Sequence, residues 1–183
     1  PYTSLFRSNL SFENGMYDFY KSKPKTLPYE IYSTEFTGHT YLKKIADKLK
    51  AIATKNQLDN QGLAELTMAF VQEGFPYTAD PENNGYDYPK FPIELFVDGG
   101  GDCEDKCCAL SSLLSHYGFD VVLVRLPRHM ALGINCKNCD GGYYEFDGKR
   151  YAFIESTQTG WQIATIPDEF QSSNATLIRV PES

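Results

Sequence analysis

The chain has 183 residues, of which 42% are hydrophobic and 22% charged, and its formal net charge at pH 7 is −7. This balance favours one folded domain with a proper core and disfavours a disordered segment. Lysine and arginine form no cluster on a predicted face, which disfavours nucleic acid or an anionic membrane surface as a partner. No apolar run approaches the roughly 20 residues that cross a bilayer, so we expect no membrane insertion within this chain.

The N-terminal segment differs in composition from the rest of the chain. Residues 1–37 are rich in Tyr, Ser, Pro and Lys and lack a clear hydrophobic period. We therefore expect an irregular extension that packs on the core and contains at most one or two edge strands. Residues 38–183 are expected to form the main domain.

Two helices are predicted next. Apolar residues recur at helical spacing over residues 40–55, which indicates an amphipathic surface helix. A second helix is capped by Asp59 or Asn60 and ends near Gly74. The three prolines within residues 80–98 are expected to keep that stretch from forming a regular element.

The C-terminal half is expected to hold one more helix and then strands. The helix runs from about Cys103 to Tyr117 and is closed by Gly118. Because helices come first and a series of short strands follows, the sequence predicts an α+β fold with an antiparallel sheet. The predicted strands are 119–126, 129–134, 143–146, 151–155 and 162–166. Strands 143–146 and 151–155 are expected to form a hairpin around the Asp147-Gly148 turn.

The sequence Gly-Gly-Gly-Asp-Cys-Glu-Asp-Lys at positions 99–106 places Cys103 at the start of that helix. The glycines let the backbone approach a substrate closely. Free N–H groups and the helix dipole in the first turn stabilise a thiolate, so we expect a lowered thiol pKa at Cys103. A thiolate is a competent nucleophile, and the same N–H groups can donate to a tetrahedral oxyanion. Cys103 is therefore the candidate nucleophile.

A nucleophilic cysteine needs a base, and the chain has three histidines. His116 lies near the far end of the Cys103 helix, roughly 20 Å away at 1.5 Å per residue, which is too far. His39 has no predicted position. His129 opens a predicted strand and is the candidate base. Glu155 ends a strand one hairpin later, so its carboxylate can orient the imidazole across the strands.

Several of these segments together resemble a known family. The motifs are Gly-Asp-Cys-Glu-Asp at 101–105, Arg-His-Met-Ala-Leu-Gly at 128–133, and Tyr-Ala-Phe-Ile-Glu-Ser-Thr at 151–157, with Phe-Val-Gln at 70–72 and Tyr-Pro-Lys-Phe-Pro at 88–92. Over about residues 40–167 the chain resembles transglutaminase-like proteins, and most closely the archaeal and bacterial transglutaminase-like cysteine peptidases.

The resemblance implies a papain-like core, with residues 38–183 as the catalytic domain. It implies a triad of Cys103, His129 and Glu155, although most relatives have Asp where this chain has Glu155. In such folds Gln72 is placed to supply a side-chain donor to the oxyanion. The implied reaction is acyl transfer on a protein or peptide substrate without a required cofactor. Peptide hydrolysis is favoured, with transglutamination or deamidation of glutamine side chains as the alternative.

Two further clusters have competing interpretations. Cys136-Lys-Asn-Cys139 lies outside the family pattern, and it fits a loop disulfide, two free thiols or half of a zinc site, of which the first two are favoured. A zinc or thiol-redox module built on this pair is a separate functional hypothesis. Asp102, Glu104 and Asp105 complement the helix dipole, or they supply hard oxygen ligands to calcium. The resemblance adds weight to calcium, because some of the similar bacterial peptidases depend on it, but complementation of the helix dipole is the favoured interpretation.

The fold alone does not guarantee chemistry, so a non-catalytic binding module on the same core is a third hypothesis. Cys107 and Cys108 follow the candidate nucleophile on the same helix, and both are interpreted as packing residues.

Overall fold

The computed structural model describes residues 15–26, 28–34, 40–80 and 88–181. His39 and residues 1–14 of the N-terminal extension lie outside the described residues. The helices are α1 (Met16–Lys21), α2 (Tyr29–Thr34), α3 (Thr40–Lys55), α4 (Asn60–Gly74), α5 (Pro92–Asp98) and α6 (Cys103–His116), with a short 3₁₀ helix at Asp168–Phe170. The strands are β1 (Val121–Leu126), β2 (His129–Ile134), β3 (Tyr143–Phe146), β4 (Lys149–Ile154) and β5 (Thr176–Arg179).

The strands form one antiparallel sheet of five in the order β3-β4-β2-β1-β5. Helix α6 packs against the neighbouring strands β1 and β2, and the main core lies between the helices and this face. A smaller apolar cluster covers the opposite face, where Phe170 and Leu177 pack against residues that include Val124 and Phe153. The predicted α+β class with an antiparallel sheet is confirmed.

Helices α3 and α4 have the predicted extents. The Asp59 side chain caps α4, because its Oδ1 accepts a hydrogen bond of 2.9 Å from the backbone N–H of Gly62. Helix α6 begins at Cys103 as predicted and ends at His116, one residue early, and Gly118 follows it with a φ of +84°. The capping and periodicity signals were sufficient for these three helices.

The expectation that residues 80–98 form no regular element is wrong for the part that is described. Helix α5 begins at Pro92, a position where proline is favoured because the first helical N–H needs no partner. The Glu94 carboxylate accepts a hydrogen bond of 3.0 Å from the backbone N–H of Phe91, which stabilises the helix start. Gly99 ends the helix with a φ of +75°. Residues 81–87 lie outside the described residues.

Gly101, two residues before Cys103, is closely packed by its neighbours. A Cβ at Gly101 would lie 2.6 Å from the Asp105 Oδ2 and 2.8 Å from the Leu95 Cδ1. Only glycine fits this position without a shift of its neighbours. Gly101 also forms a bridge with Tyr77, so this stretch is fixed to the segment that follows α4.

The N-terminal extension is helical where it is described, so the expectation of irregular chain with edge strands is wrong there. Its two short helices, α1 and α2, bury Tyr20 and Tyr32 against Phe91, with ring centroids 4.9 Å and 4.6 Å apart. Both tyrosines belong to the main core cluster. Aromatic contacts with a distant segment hold them, which a local hydrophobic period cannot reveal.

The strand prediction has two errors, a predicted strand that does not form and an observed strand that was not predicted. The Asp147-Gly148 turn has a positive φ at both residues and joins β3 to β4 as predicted. Residues 162–166 are not a strand, because Ala164 has a φ of +68° and binds only Phe153 and Gly142 through its backbone. The fifth strand is instead β5, which pairs with the edge of β1.

Among the described residues, no helix has the length and apolar character required to cross a membrane.

Candidate active site

The fold brings the start of helix α6 next to the start of strand β2. Cys103, the first residue of α6, and His129, the first residue of β2, line the same cavity of about 290 Å³. The backbone N–H of Met130, the residue after His129, donates a hydrogen bond to the Cys103 sulfur. The two residues singled out in the sequence therefore lie on the same side of the molecule, next to each other.

Glu155 binds the imidazole from the end of the neighbouring strand β4. The distance between His129 Nε2 and Glu155 Oε2 is 2.9 Å. The other carboxylate oxygen accepts hydrogen bonds from the backbone N–H and the hydroxyl of Thr157, at 2.8 and 2.5 Å. Burial opposes ionisation of Glu155, but the hydrogen bonds from His129 and Thr157 and the charge of His129 outweigh it and lower its pKa. This carboxylate is held ionised and fixed in orientation.

The ring of His129 is fixed from a second direction. It stacks on Phe170 of the 3₁₀ helix, with centroids 4.8 Å apart and planes 2° apart. Because Nε2 faces Glu155, the carboxylate favours a proton on that nitrogen and a lone pair on Nδ1. Within the described part of the chain, Nδ1 has no hydrogen-bond partner. The imidazole can therefore accept a proton at Nδ1.

The thiol of Cys103 is not activated in this arrangement. Its sulfur donates to the Glu104 carboxylate at 2.8 Å rather than to His129. Burial, followed by the charge of Glu104 and this hydrogen bond, raises the pKa of the Cys103 thiol, and the N–H of Met130 only partly offsets that rise. The predicted lowering of the thiol pKa is wrong for this arrangement, because burial and the acidic neighbour Glu104 outweigh the helix terminus.

The Gln72 side chain does not have the position that the resemblance implies for an oxyanion donor. Its side-chain Nε2 donates to the backbone carbonyl of Glu155 at 2.6 Å, and the residue is buried. It lines a separate cavity of about 900 Å³, together with Cys139 and Trp161, rather than the cavity of Cys103. Gln72 therefore holds the backbone of Glu155 and is not placed beside the thiol.

Four residues of the site were not identified as functional from the sequence. Tyr77, Arg125 and Arg128 line the Cys103 cavity, and Phe170 supports the imidazole. Burial and the nearby charges of Cys103 and Asp102 raise the pKa of Tyr77, so its hydroxyl remains a hydrogen-bond donor. Arg128 was visible as the neighbour of His129, whereas Tyr77 and Phe170 reach the site only through the fold.

The acidic cluster at the start of α6 contains a different set of residues from the predicted one. Carboxylate oxygens of Asp80, Asp102 and Asp105 lie within 4.8 Å of one another, whereas Glu104 is not part of this group. Burial and the charge of Asp102 raise the pKa of Asp105 to about 8, while the Lys90 backbone N–H and ammonium group oppose this. Three carboxylates at this separation are suitable ligands for a hard cation such as calcium.

The other four cysteines form a disulfide or pack in the core. Cys136 and Cys139 form a disulfide, which was one of the two favoured interpretations, so their sulfurs are not zinc-binding thiolates. Cys107 and Cys108 are free and fully buried in helix α6, in agreement with a packing role. Cys107 donates to the Met130 carbonyl at 3.3 Å, which binds the helix to strand β2.

Comparisons of the chain with protein-family models, with curated proteins and with solved structures found no match. Function is therefore inferred from the geometry around Cys103, His129 and Glu155, and from the resemblance of the motifs that contain them.

Proposed function

We propose that the chain is a cysteine-nucleophile acyl-transfer enzyme with a papain-like, transglutaminase-like core, and that it acts as a peptidase. Cys103 is the nucleophile, His129 the base and Glu155 the residue that orients the base. One observation carries the proposal: His129 lies 2.9 Å from the Glu155 carboxylate through Nε2 and lines the same cavity as Cys103.

The reaction begins with a neutral thiol, because burial and Glu104 raise the pKa of Cys103. His129 Nδ1 accepts the thiol proton while the sulfur attacks the substrate carbonyl carbon, and the carbonyl oxygen takes the negative charge. The tetrahedral intermediate collapses to a thioester as the leaving amine takes the proton from His129. Water then attacks the thioester with His129 as base, which releases the acid and restores the thiol.

The oxyanion requires donors in the cavity. The backbone N–H of Cys103 lies in the first turn of α6, where helical N–H groups lack an intrahelical acceptor. The Tyr77 hydroxyl is a second donor on the wall of the same cavity. Together they replace the donor role that the resemblance gave to Gln72.

The choice of water as acceptor follows the resemblance to the peptidases. An amine in place of water would give cross-linking, and a glutamine side chain as substrate would give deamidation. Product analysis with a peptide that contains both glutamine and several peptide bonds, in the presence of a primary amine, distinguishes the three reactions.

The test of the mechanism is selective alkylation of Cys103. Iodoacetamide at neutral pH should label Cys103 faster in the wild-type protein than in His129→Ala, with the site identified by mass spectrometry. His116→Ala is the matched control, because it removes an imidazole at the other end of α6. Equal labelling of Cys103 in all three proteins would contradict the proposal. Peptide hydrolysis should be lost in Cys103→Ala.

A non-catalytic binding module has one observation in its favour, which is the hydrogen bond of the thiol to Glu104 instead of His129. In that case Cys103 would be labelled as fast in His129→Ala as in the wild type, and no peptide would be hydrolysed. Slower labelling in His129→Ala together with peptide hydrolysis by the wild type would support the enzyme.

A further inference from the structure

Two arginines lie at the rim of the Cys103 cavity in a chain of net charge −7. Arg125 belongs to strand β1, and Arg128 lies in the turn between β1 and β2, directly before His129. Both side chains are exposed, and neither forms an ion pair or a hydrogen bond with any other residue that the structure describes. Their positive charges are therefore available to a ligand in the cavity.

The backbone of Arg128 supports a specific role for this side chain. Its φ is +58°, in the left-handed region that residues with a Cβ rarely adopt. Glycine would fit the turn without this strain. A strained residue that is next to a candidate catalytic base and faces the same cavity is evidence for function.

Among the described residues, no ion pair joins either arginine to Asp102 or Glu104, the carboxylates that also line this cavity. The Asp102 carboxylate accepts from the backbone N–H of Asp105 to cap α6, and the Glu104 carboxylate accepts from the Cys103 thiol. The cavity thus has negative charge at its helix side and unpaired positive charge at its hairpin side. Guanidinium groups match carboxylates in both charge and geometry.

We propose that Arg125 and Arg128 bind an acidic side chain of the substrate, so that the enzyme prefers peptides with Asp or Glu next to the scissile bond. This inference rests on the proposed function, since it concerns the substrate of the same thiol. Both arginines determine specificity rather than the chemical step.

The test compares two alkylating reagents at Cys103, anionic iodoacetate and neutral iodoacetamide. In Arg125→Gln/Arg128→Gln, the ratio of the iodoacetate rate to the iodoacetamide rate should fall roughly fivefold or more at low ionic strength, and the effect should shrink in high salt. The double variant Arg150→Gln/Arg179→Gln is the matched control, because it removes the same charge outside the cavity and should leave the ratio unchanged. Peptide pairs that differ by Glu or Gln beside the scissile bond should show the same dependence in kcat/KM.

Arg128→Gly is the second variant, because it removes the charge while relieving the strained backbone, so its folding is not at risk. It should also lower the ratio. If Cys103 is well labelled but the ratio of the iodoacetate rate to the iodoacetamide rate is unchanged in both variants, this inference is overturned and the proposed function is not. Absent labelling at Cys103 would overturn the proposed function and this inference with it.

Discussion

At the scale of single residues, Glu104 has the largest effect on the reactivity of the site. Its carboxylate accepts a hydrogen bond from the Cys103 thiol and stabilises the protonated form. The helix terminus and the Met130 N–H act in the opposite direction. The balance favours the protonated thiol in the resting site.

Glu104→Gln should lower the thiol pKa, because the amide carries no charge that opposes the thiolate. The iodoacetamide rate at neutral pH should rise on the order of tenfold, and the pH profile of labelling should move to lower pH. The readout is the labelling rate of Cys103 as a function of pH. Glu145→Gln on the exposed strand β3 is the control, and a profile that matches it would contradict the role of Glu104.

Glu155→Gln should keep the fold but weaken the orientation and charge stabilisation of His129. The value of kcat for peptide hydrolysis should fall roughly a hundredfold or more, with a smaller change in KM. Steady-state kinetics of peptide hydrolysis measures kcat and KM for this variant and for the Glu145→Gln control. An unchanged kcat would remove Glu155 from the triad.

At the scale of elements, Lys106 links helix α6 by hydrogen bonds to the segment after β4. The side chain is fully buried, and its ammonium group donates to the carbonyls of Phe75, Thr157 and Gln72 at 2.7, 3.3 and 3.5 Å. Burial lowers its pKa to about 8, against the opposing charges of Cys107 and Glu155. Lys106 joins the end of α4, the Cys103 helix and the loop that carries Thr157.

Lys106→Met should leave these carbonyls without a donor and lower the free energy of unfolding by roughly 1–3 kcal/mol. Urea unfolding at neutral pH measures the change. Lys43→Met is the control, since its pair with Asp47 lies on the exposed face of α3 and should contribute little to stability. Equal effects of the two substitutions would show that the buried contacts contribute no more than an exposed pair.

The acidic cluster before α6 gives a prediction about calcium. Two buried carboxylates, Asp102 and Asp105, lie close to Asp80, and Lys90 is 3.6 Å from Asp105. A divalent cation would relieve the remaining repulsion, so excess calcium should raise the midpoint of thermal unfolding by roughly 2–4 °C per kcal/mol of binding energy. Asp80→Asn should reduce the rise, and equal midpoints with calcium and with chelator would exclude the site.

At the scale of the whole molecule, α6 is the central element. It packs against α2, α3, α4 and α5 on one side and against β1 and β2 on the other. Because the candidate nucleophile opens this helix and the candidate base opens β2, the core packing also sets the position of the site. The stability of the fold and the geometry of the site are therefore linked.

The link makes stability depend on pH through Glu155. The folded-state pKa of Glu155 lies below the ordinary glutamate value of 4.5, so the unfolded chain binds the proton more readily. The contribution of Glu155 is thus present above pH 4.5 and is lost as the pH falls through the folded-state pKa. The difference in unfolding free energy between wild type and Glu155→Gln should be constant near neutral pH and should narrow in acid. A difference independent of pH would contradict an ionised, paired Glu155.

The sequence predicted most long elements because their patterns are local. Hydrophobic periods and caps identified α3, α4 and α6, and the Asp147-Gly148 turn identified the β3–β4 hairpin. The short helices α1 and α2 and the edge strand β5 depend on partners far along the chain, so local patterns missed them. In the site, Cys103, His129 and Glu155 stood out through their motifs. Asp80 precedes Asp102 by 22 residues, and only the fold brings its carboxylate close to that of Asp102.

The disulfide between Cys136 and Cys139 has a practical consequence for handling the protein. It lies beyond Ile134, the last residue of β2, whereas His129 is the first, so it is separated from the imidazole by roughly 20 Å of extended chain. A reductant that keeps Cys103 available for turnover would open only that distant loop. Assays can therefore contain dithiothreitol, and the number of free thiols counted after denaturation should rise from three to five without loss of peptide cleavage by the folded protein.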